Sequence, residues 1–125
     1  MSNSVIVIVE DDIALASAYR LSLQNAGYEA HALYSAQALL EWLEQFSADV
    51  ILLDMNLPDG QGLDLFAYLR SSLPATARII AITGNPRSVE THEEEFDLVL
   101  LKPVSLRQLL ELVNRLCEYQ LGTHL

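Results

Sequence analysis

The sequence predicts a doubly wound α/β fold, in which a parallel sheet of five strands carries helices on both faces. Short apolar runs alternate along the chain with longer segments of helical period, which is typical of βα units. Most of these runs are apolar at every position, as expected of strands that helices cover on both faces. They are Val5 to Val9, Val50 to Leu53, Ile79 to Ile82 and Leu98 to Leu101, and a weaker strand is predicted near Ala30 to Tyr34.

The first three predicted helices are marked by an apolar face or by capping residues. Ile13 to Asn25 repeats apolar residues at helical spacing, with Asp12 suited to the amino-terminal cap and Gly27 to the carboxyl-terminal cap. Ser35 can cap a second helix, and Gly62 to Ser71 is predicted as a third. Each therefore lies between two predicted strands.

Two more helices complete the predicted set of five. The segment Ser88 to Phe96 is nearly all polar and offers a poor packing face, so we expect this fourth helix to be short or irregular. The last helix begins at Ser105, which can form a capping box with Gln108 ahead of a strongly amphipathic run.

Length and composition restrict the class of protein. The 125 residues suit one compact domain, so we take residues 1–125 as a single unit. A net charge of −10 repels nucleic acid and anionic membranes, so we expect neither as a direct partner. The one cysteine, Cys117, cannot form an internal disulfide, and the amino terminus lacks a basic secretory start. These features predict a cytoplasmic protein.

Chemically active side chains follow the predicted strands where those strands end. Glu10 and Asp11 follow the first strand, Asp54 the third, Thr83 the fourth and Lys102 the fifth. In doubly wound sheets the carboxyl ends of the strands form the ligand crevice. We therefore expect these five side chains to lie close together.

The types of these side chains indicate phosphoryl transfer. Three carboxylates in one crevice raise each other's proton affinity, and a hard divalent cation such as Mg²⁺ would offset their charge. Lys102 supplies a second positive charge and Thr83 a hydroxyl donor. In such a setting an ionised Asp54 can act as a nucleophile toward phosphorus.

Four sequence fragments resemble the response regulator receiver domain of two-component phosphorelay systems. They are Val7 to Asp12, Leu53 to Gly60, Ile82 to Gly84 and Leu101 to Pro103, in order and each at a strand end. Single fragments of this kind are weak signals, but the four together are specific and span the chain. The resemblance implies a flavodoxin-like sheet with strand order 2-1-3-4-5.

The resemblance also implies a role for each site residue. It makes Asp54 the phosphoacceptor, Thr83 the hydroxyl that contacts the phosphoryl group and Lys102 its paired cation. It implies a cis peptide bond before Pro103. Four residues would hold Mg²⁺: Glu10, Asp11, Asp54 and Asn56. Asp11 would be a direct ligand, Glu10 would hold the ion through water, and Asn56 would contribute its backbone carbonyl. The implied partners are a histidine kinase or phosphotransfer protein and a downstream effector, and the implied function is a signalling switch rather than an enzyme.

Two departures from the family pattern concern how the signal leaves the domain. The family usually has an aromatic residue three positions before the lysine, where this chain has Val99. The segment from Thr83 to Lys102 is also shorter than usual by about one helical turn. We therefore expect an output surface unlike that of dimerising transcriptional regulators.

Two other functions remain open on the sequence. One is an interaction module of the same fold that is never phosphorylated. The other is a phosphohydrolase resembling haloacid dehalogenases, suggested by Asp54 and Asn56 two residues apart, although the nucleophile there follows the first strand. Taken singly, Asp54 could be a turn residue, Glu10 and Asp11 could favour a helix amino terminus, and Lys102 could be a solvated surface residue.

Overall fold

The structure is a computed structural model, and it describes residues 4–60, 62–85, 87 and 96–120. Strands and helices alternate over most of this length. The strands are β1 (Val5–Val9), β2 (Glu29–Leu33), β3 (Val50–Asp54), β4 (Arg78–Thr83) and β5 (Leu98–Leu101). The helices are α1 (Ile13–Asn25), α2 (Ala36–Leu43), α3 (Gly62–Ser72) and α4 (Leu106–Gln120).

All five strands form one parallel sheet in the order β2-β1-β3-β4-β5, which confirms the predicted topology. The chain moves outward from β1 to β2 and then crosses back to place β3 on the other side of β1. The direction of winding therefore reverses between β1 and β3. Ligand crevices of such sheets open at the carboxyl ends of the strands beside this reversal.

Each face of the sheet has its own hydrophobic cluster, which explains why the sequences of β1, β3 and β4 are apolar at nearly every position. Ile6, Ile8 and Leu52 pack with α1 and α4 on one face. Val7 and Ile51, which point the other way, pack with α2 and α3 on the opposite face. Burial on both faces holds the strand ends, and the polar residues that follow them, in fixed positions. The edge strand β5 is also apolar, but Leu98 and Leu101 are exposed, so the described helices do not cover both of its faces as predicted.

The helix caps predicted from the sequence are confirmed. The side chain of Asp12 accepts the Leu15 amide at 3.1 Å, and Ser35 accepts the Ala38 amide at 3.0 Å. Gly27 has a φ of 101°, a conformation that glycine adopts at little cost. For α4, the Ser105 amide donates to the Gln108 side chain at 3.1 Å and the Gln108 amide donates to the Ser105 hydroxyl at 3.0 Å.

Small differences separate the predicted and observed elements. Strand β2 begins and ends one residue earlier than predicted. The apolar pattern after Ser35 predicts a helix that extends to Phe46, but α2 ends at Leu43 and Phe46 is exposed. The predicted helix over 88–96 falls outside the described residues, apart from Phe96. Among the described residues, no helix has the length and apolar character needed to cross a membrane.

Candidate functional site

Three carboxylates meet at the carboxyl ends of β1 and β3. Glu10 and Asp11 follow β1 directly, and Asp54 is the last residue of β3. One carboxylate oxygen from each lies within 4.8 Å of the others. Glu10 and Asp54 are buried, whereas Asp11 is exposed, so the cluster opens to solvent on the Asp11 side.

Asp54 is the most enclosed of the three acids, with 2% of its surface exposed. Its Oδ1 accepts the backbone amide of Asn56 at 2.9 Å, and its Oδ2 lies 3.4 Å from the ammonium nitrogen of Lys102. A buried carboxylate requires partners of this kind, because an unpaired charge in the interior is strongly destabilising. The two contacts therefore fix the orientation of the carboxylate.

The surroundings of Glu10 raise the pKa of its carboxyl group. Burial raises the pKa of Glu10 above its ordinary value of 4.5, and the negative charge of Asp54 raises it further. A hydrogen bond from the Asp12 amide to Glu10 Oε2, 3.1 Å long, and the charge of Lys102 lower the pKa but do not restore the ordinary value. The site thus favours a positive charge beyond the one that Lys102 provides.

Lys102 lies between the two buried acids. Its Nζ is 3.4 Å from Glu10 Oε1 and 3.4 Å from Asp54 Oδ2, and 29% of its side chain is exposed. Burial lowers the pKa of Lys102, but the carboxylates of Asp54 and Glu10 outweigh burial and hold the pKa above its ordinary value of 10.5. The Lys102 amide donates to the Thr83 carbonyl at 2.8 Å, and the bond to Pro103 is cis, as the resemblance implies.

Thr83 is the last residue of β4, the strand beside β3, and is fully buried. Its hydroxyl accepts the Asn85 amide at 3.0 Å and lies 3.2 Å from the Asn85 carbonyl oxygen, to which it donates. The hydroxyl therefore bonds to the loop that follows the strand. Such a local bond is modest in net energy, about 1 kcal/mol, so the hydroxyl can exchange it for a stronger acceptor.

Asp59 holds the loop after β3 against α2, a role that the sequence reasoning missed. The amides of Ala36 and Gln37, at the start of α2, donate to the two carboxylate oxygens of Asp59 at 2.9 and 3.0 Å. A Cβ added at Gly60 would lie 3.0 Å from Ala36 Cβ, so a larger residue would be crowded and Ala36 would have to shift slightly to admit it. The Pro58-Asp59-Gly60 sequence showed a turn, but did not show which helix it would contact.

We expect Asp59→Asn to destabilise the protein at neutral pH and to have little effect in strong acid. The amides of Ala36 and Gln37 hold the pKa of Asp59 below its ordinary value of 3.8. Because the folded-state pKa is depressed, the stabilisation is complete above the ordinary value and is lost as the pH falls through the folded-state value. Urea unfolding of both forms at neutral pH and well below pH 3.8 measures the difference.

The matched control is Asp64→Asn, which neutralises an exposed carboxylate in the first turn of α3. The pH dependence of the unfolding midpoint of Asp64→Asn should be close to that of the unmodified protein. A destabilisation by Asp59→Asn that persists unchanged in acid would show that the carboxylate charge is not what the α2 amides require.

The side chains at the site suit a hard divalent cation. The described site residues place three carboxylates opposite one ammonium, leaving a surplus of negative charge in a crevice that is partly closed to water. Mg²⁺ binds oxygen ligands and retains several waters, which the exposed side near Asp11 allows. The donor set thus fits such an ion by charge, ligand type and access.

Val99 and Phe96 lie where the sequence departs from the pattern of the family that it resembles. Val99 is partly buried and packs against the cluster that α2 and α3 form with the sheet. An aromatic side chain is instead found three residues earlier, where Phe96 is buried with its ring centroid 3.9 Å from that of Phe66. Val99 has no ring that could rotate between exposed and buried positions.

Comparison with known proteins agrees with this architecture. Residues 6–114 match the profile of the response regulator receiver domain. Among curated proteins, the TorCAD operon transcriptional regulatory protein TorR of Escherichia coli K12 is 35% identical over 114 residues, which is 89% of this chain and 49% of TorR. The transcriptional regulator NtrC of Azospirillum brasilense is 28% identical over 92% of this chain and 24% of its own length. The chain thus spans from a quarter to half of these relatives.

Solved structures show the same fold. A CheY-like receiver domain from Methanospirillum hungatei JF-1 superimposes with a TM-score of 0.86 at 29% identity, covering 97% of this chain and 98% of that one. The BeF3-activated receiver domain of DrrB superimposes with a TM-score of 0.81 at 25% identity, covering 94% of this chain and 99% of its own. Both likenesses extend over nearly the whole length of the two chains.

Proposed function

The chain belongs to the response regulator receiver domain family, a family of signalling domains, and on that premise we propose that it accepts a phosphoryl group on Asp54 and thereby changes its affinity for a partner. One observation carries the proposal. Asp54 is a buried carboxylate that faces both an acidic cluster and a lysine ammonium, at the crevice where the sheet winding reverses. We take residues 1–125 as one receiver domain.

In the proposed reaction an Oδ atom of Asp54 attacks the phosphorus of a donor. The bond from phosphorus to the leaving group breaks, its electron pair leaves with that group, and an acyl phosphate forms on Asp54. Glu10, Asp11, Asp54 and the backbone carbonyl of Asn56 are the proposed ligands of a Mg²⁺ ion. When bound, the ion supplies charge neutralisation at the transferred oxygens.

Lys102 and Thr83 are proposed to bind the phosphoryl group once it is on Asp54. In the unmodified protein the Lys102 ammonium lies 3.4 Å from Asp54 Oδ2. Once Asp54 is phosphorylated, the phosphoryl oxygens would offer this ammonium an acceptor with more negative charge. The Thr83 hydroxyl would leave Asn85 for the same group, which would move the loop after β4. Phosphorylation would in this way shift an existing equilibrium between two conformations.

The proposed partners follow from the same chemistry. A histidine kinase or a phosphotransfer protein would donate the phosphoryl group, and a downstream effector protein or domain would respond to it. The BeF3-activated receiver domain of DrrB supports a change of state in this fold and does not bear on the identity of the partners. The chain would assist its own phosphorylation and dephosphorylation without being an enzyme toward other substrates.

A direct test is incubation of the protein with phosphoramidate and Mg²⁺, followed by mass measurement of the intact chain and mapping of the modified peptide. We expect one phosphoryl group per chain, located on the peptide that contains Asp54. We expect no adduct to form when EDTA is present from the start of the incubation. Absence of any adduct with either phosphoramidate or acetyl phosphate would favour the unphosphorylated interaction module. Sustained release of phosphate from unrelated phosphomonoesters would favour a hydrolase.

A further inference from the structure

Tyr19, in the middle of α1, is a fully buried residue whose hydroxyl reaches the loop that carries Lys102. The residue is 1% exposed and packs in the cluster between the sheet, α1 and α4. Its hydroxyl donates to the backbone carbonyl of Val104 at 3.4 Å, across 85 positions of sequence. Val104 is itself buried, so this carbonyl requires a partner inside the protein.

The hydrogen bond connects helix α1 to the loop that carries Lys102. Helix α1 begins just after Glu10 and Asp11, so Tyr19 belongs to the element that continues from the acid loop. Val104 follows Lys102 by two residues, in the segment between β5 and α4. The amide of Lys102 is anchored on its other side by the Thr83 carbonyl at 2.8 Å. The lysine loop is therefore held both by β4 and by α1.

The charged residues of the site also influence the pKa of Tyr19. Burial raises the pKa of Tyr19 above its ordinary value of 10.0, the charge of Glu10 raises it further, Lys102 lowers it, and Asp54 raises it. The contact that the structure gives for this hydroxyl is the hydrogen bond to the Val104 carbonyl, so that geometry and not the pKa carries the inference.

We propose that Tyr19 is a positioning residue, which fixes the loop from Lys102 to Val104 and thereby sets the distance from the lysine ammonium to Asp54. The inference deepens the proposed phosphoryl transfer and rests on it for its functional consequence. Removing the hydroxyl leaves the buried Val104 carbonyl short of a donor, and the loop relaxes to satisfy it. The ammonium then spends less time at 3.4 Å from Asp54 Oδ2.

The test is Tyr19→Phe, which keeps the buried ring and removes only the hydroxyl. We expect phosphoryl uptake from phosphoramidate to slow by roughly threefold to tenfold, the range that corresponds to losing one positioning hydrogen bond. Tyr28→Phe is the matched control, because the Tyr28 hydroxyl also bonds toward α4, at the Asn114 side chain, but not to the lysine loop. That variant should take up phosphate at the unmodified rate.

A second measurement separates positioning from general stability. The sequence contains a single lysine, so a protein labelled with ¹³C-lysine gives side-chain NMR signals from Lys102 alone. We expect those signals to shift in Tyr19→Phe and to stay in place in Tyr28→Phe, in protein that is folded in both cases. This readout needs no phosphate donor.

The outcomes distinguish the inference from the proposed function. Unchanged lysine signals in Tyr19→Phe, or equal effects in both tyrosine variants, would overturn the positioning role. If the unmodified protein takes up no phosphate while the lysine signals shift in Tyr19→Phe alone, the proposed phosphoryl transfer fails and the structural role of Tyr19 stands. Slower uptake together with shifted signals, both confined to Tyr19→Phe, would support the whole inference.

Discussion

Asp54→Asn is expected to take up no phosphoryl group from any donor and to be more stable than the unmodified protein when no divalent cation is present. The amide that replaces the carboxylate is not a nucleophile toward phosphorus, so covalent modification is lost completely. In the unmodified protein the backbone amide of Asn56 donates to Asp54 Oδ1 at 2.9 Å. The side-chain oxygen of the introduced asparagine can accept the same hydrogen bond, so the loop should keep its conformation.

The gain in stability comes from removing a repulsive charge. Glu10 and Asp54 are both buried and share one ammonium, so the site carries more negative than positive charge. Neutralising Asp54 leaves Glu10 and Lys102 as a balanced pair. A gain of about 1 kcal/mol is expected, since charges near 4 Å apart interact by a few kcal/mol before solvent screening.

Urea unfolding in EDTA measures this gain, and intact mass after phosphoramidate treatment measures uptake. Asp64→Asn is the control, because it removes an exposed carboxylate of α3 and should change neither quantity appreciably. Added Mg²⁺ should stabilise the unmodified protein more than Asp54→Asn, which has one fewer carboxylate to hold it. An adduct of the same mass on Asp54→Asn would show that another residue is the acceptor.

Lys102→Ala is expected to slow phosphoryl uptake by roughly tenfold to a hundredfold, because it removes a charged donor aimed at the oxygens of the transferred group. The same change should destabilise the cation-free protein by about 1–3 kcal/mol, because two buried carboxylates lose their shared counter-charge. The estimate is below that of a fully buried pair because 29% of the lysine side chain is exposed.

The effects on stability therefore have opposite signs at the two ends of one ion pair. Added Mg²⁺ should restore part of the stability of Lys102→Ala, since the cation also offsets the carboxylate charge. Arg107→Ala, which removes an exposed cation from the first turn of α4, is the control for a general change in net charge. A stability of Lys102→Ala equal to that of the unmodified protein in EDTA would show that the two buried acids do not depend on this ammonium as a counter-charge.

Much of the fold is fixed by local pattern. Strands such as Val5–Val9 are apolar throughout because helices cover both of their faces, and that pattern is visible in sequence. Caps such as Ser35 and Ser105 act within three residues of themselves, so their residue types predict helix starts. The candidate site was predictable for a related reason, because parallel strands bring their carboxyl ends to one edge and the residues after each strand must meet there.

The contacts that join distant segments were decided only by the tertiary structure. Asp59 could be read from sequence as a turn residue, but its contact with the amides of α2 depends on how the loop packs 22 and 23 positions away. The hydrogen bond from Tyr19 to Val104 is of the same kind, because an apolar helix face predicts a buried ring and does not predict what its hydroxyl will reach. The position of Lys102 between two acids also depends on tertiary contacts, because the three residues lie at the ends of three different strands.

The sequence by itself determined which elements form, the order of charged residues along the sheet edge and the chemistry those residues can support. Packing determined which carboxylate is enclosed, which stays open to solvent and how one ammonium is shared. The reason is that periodicity and capping are local properties of the chain, whereas burial and charge pairing depend on the simultaneous positions of segments far apart in sequence.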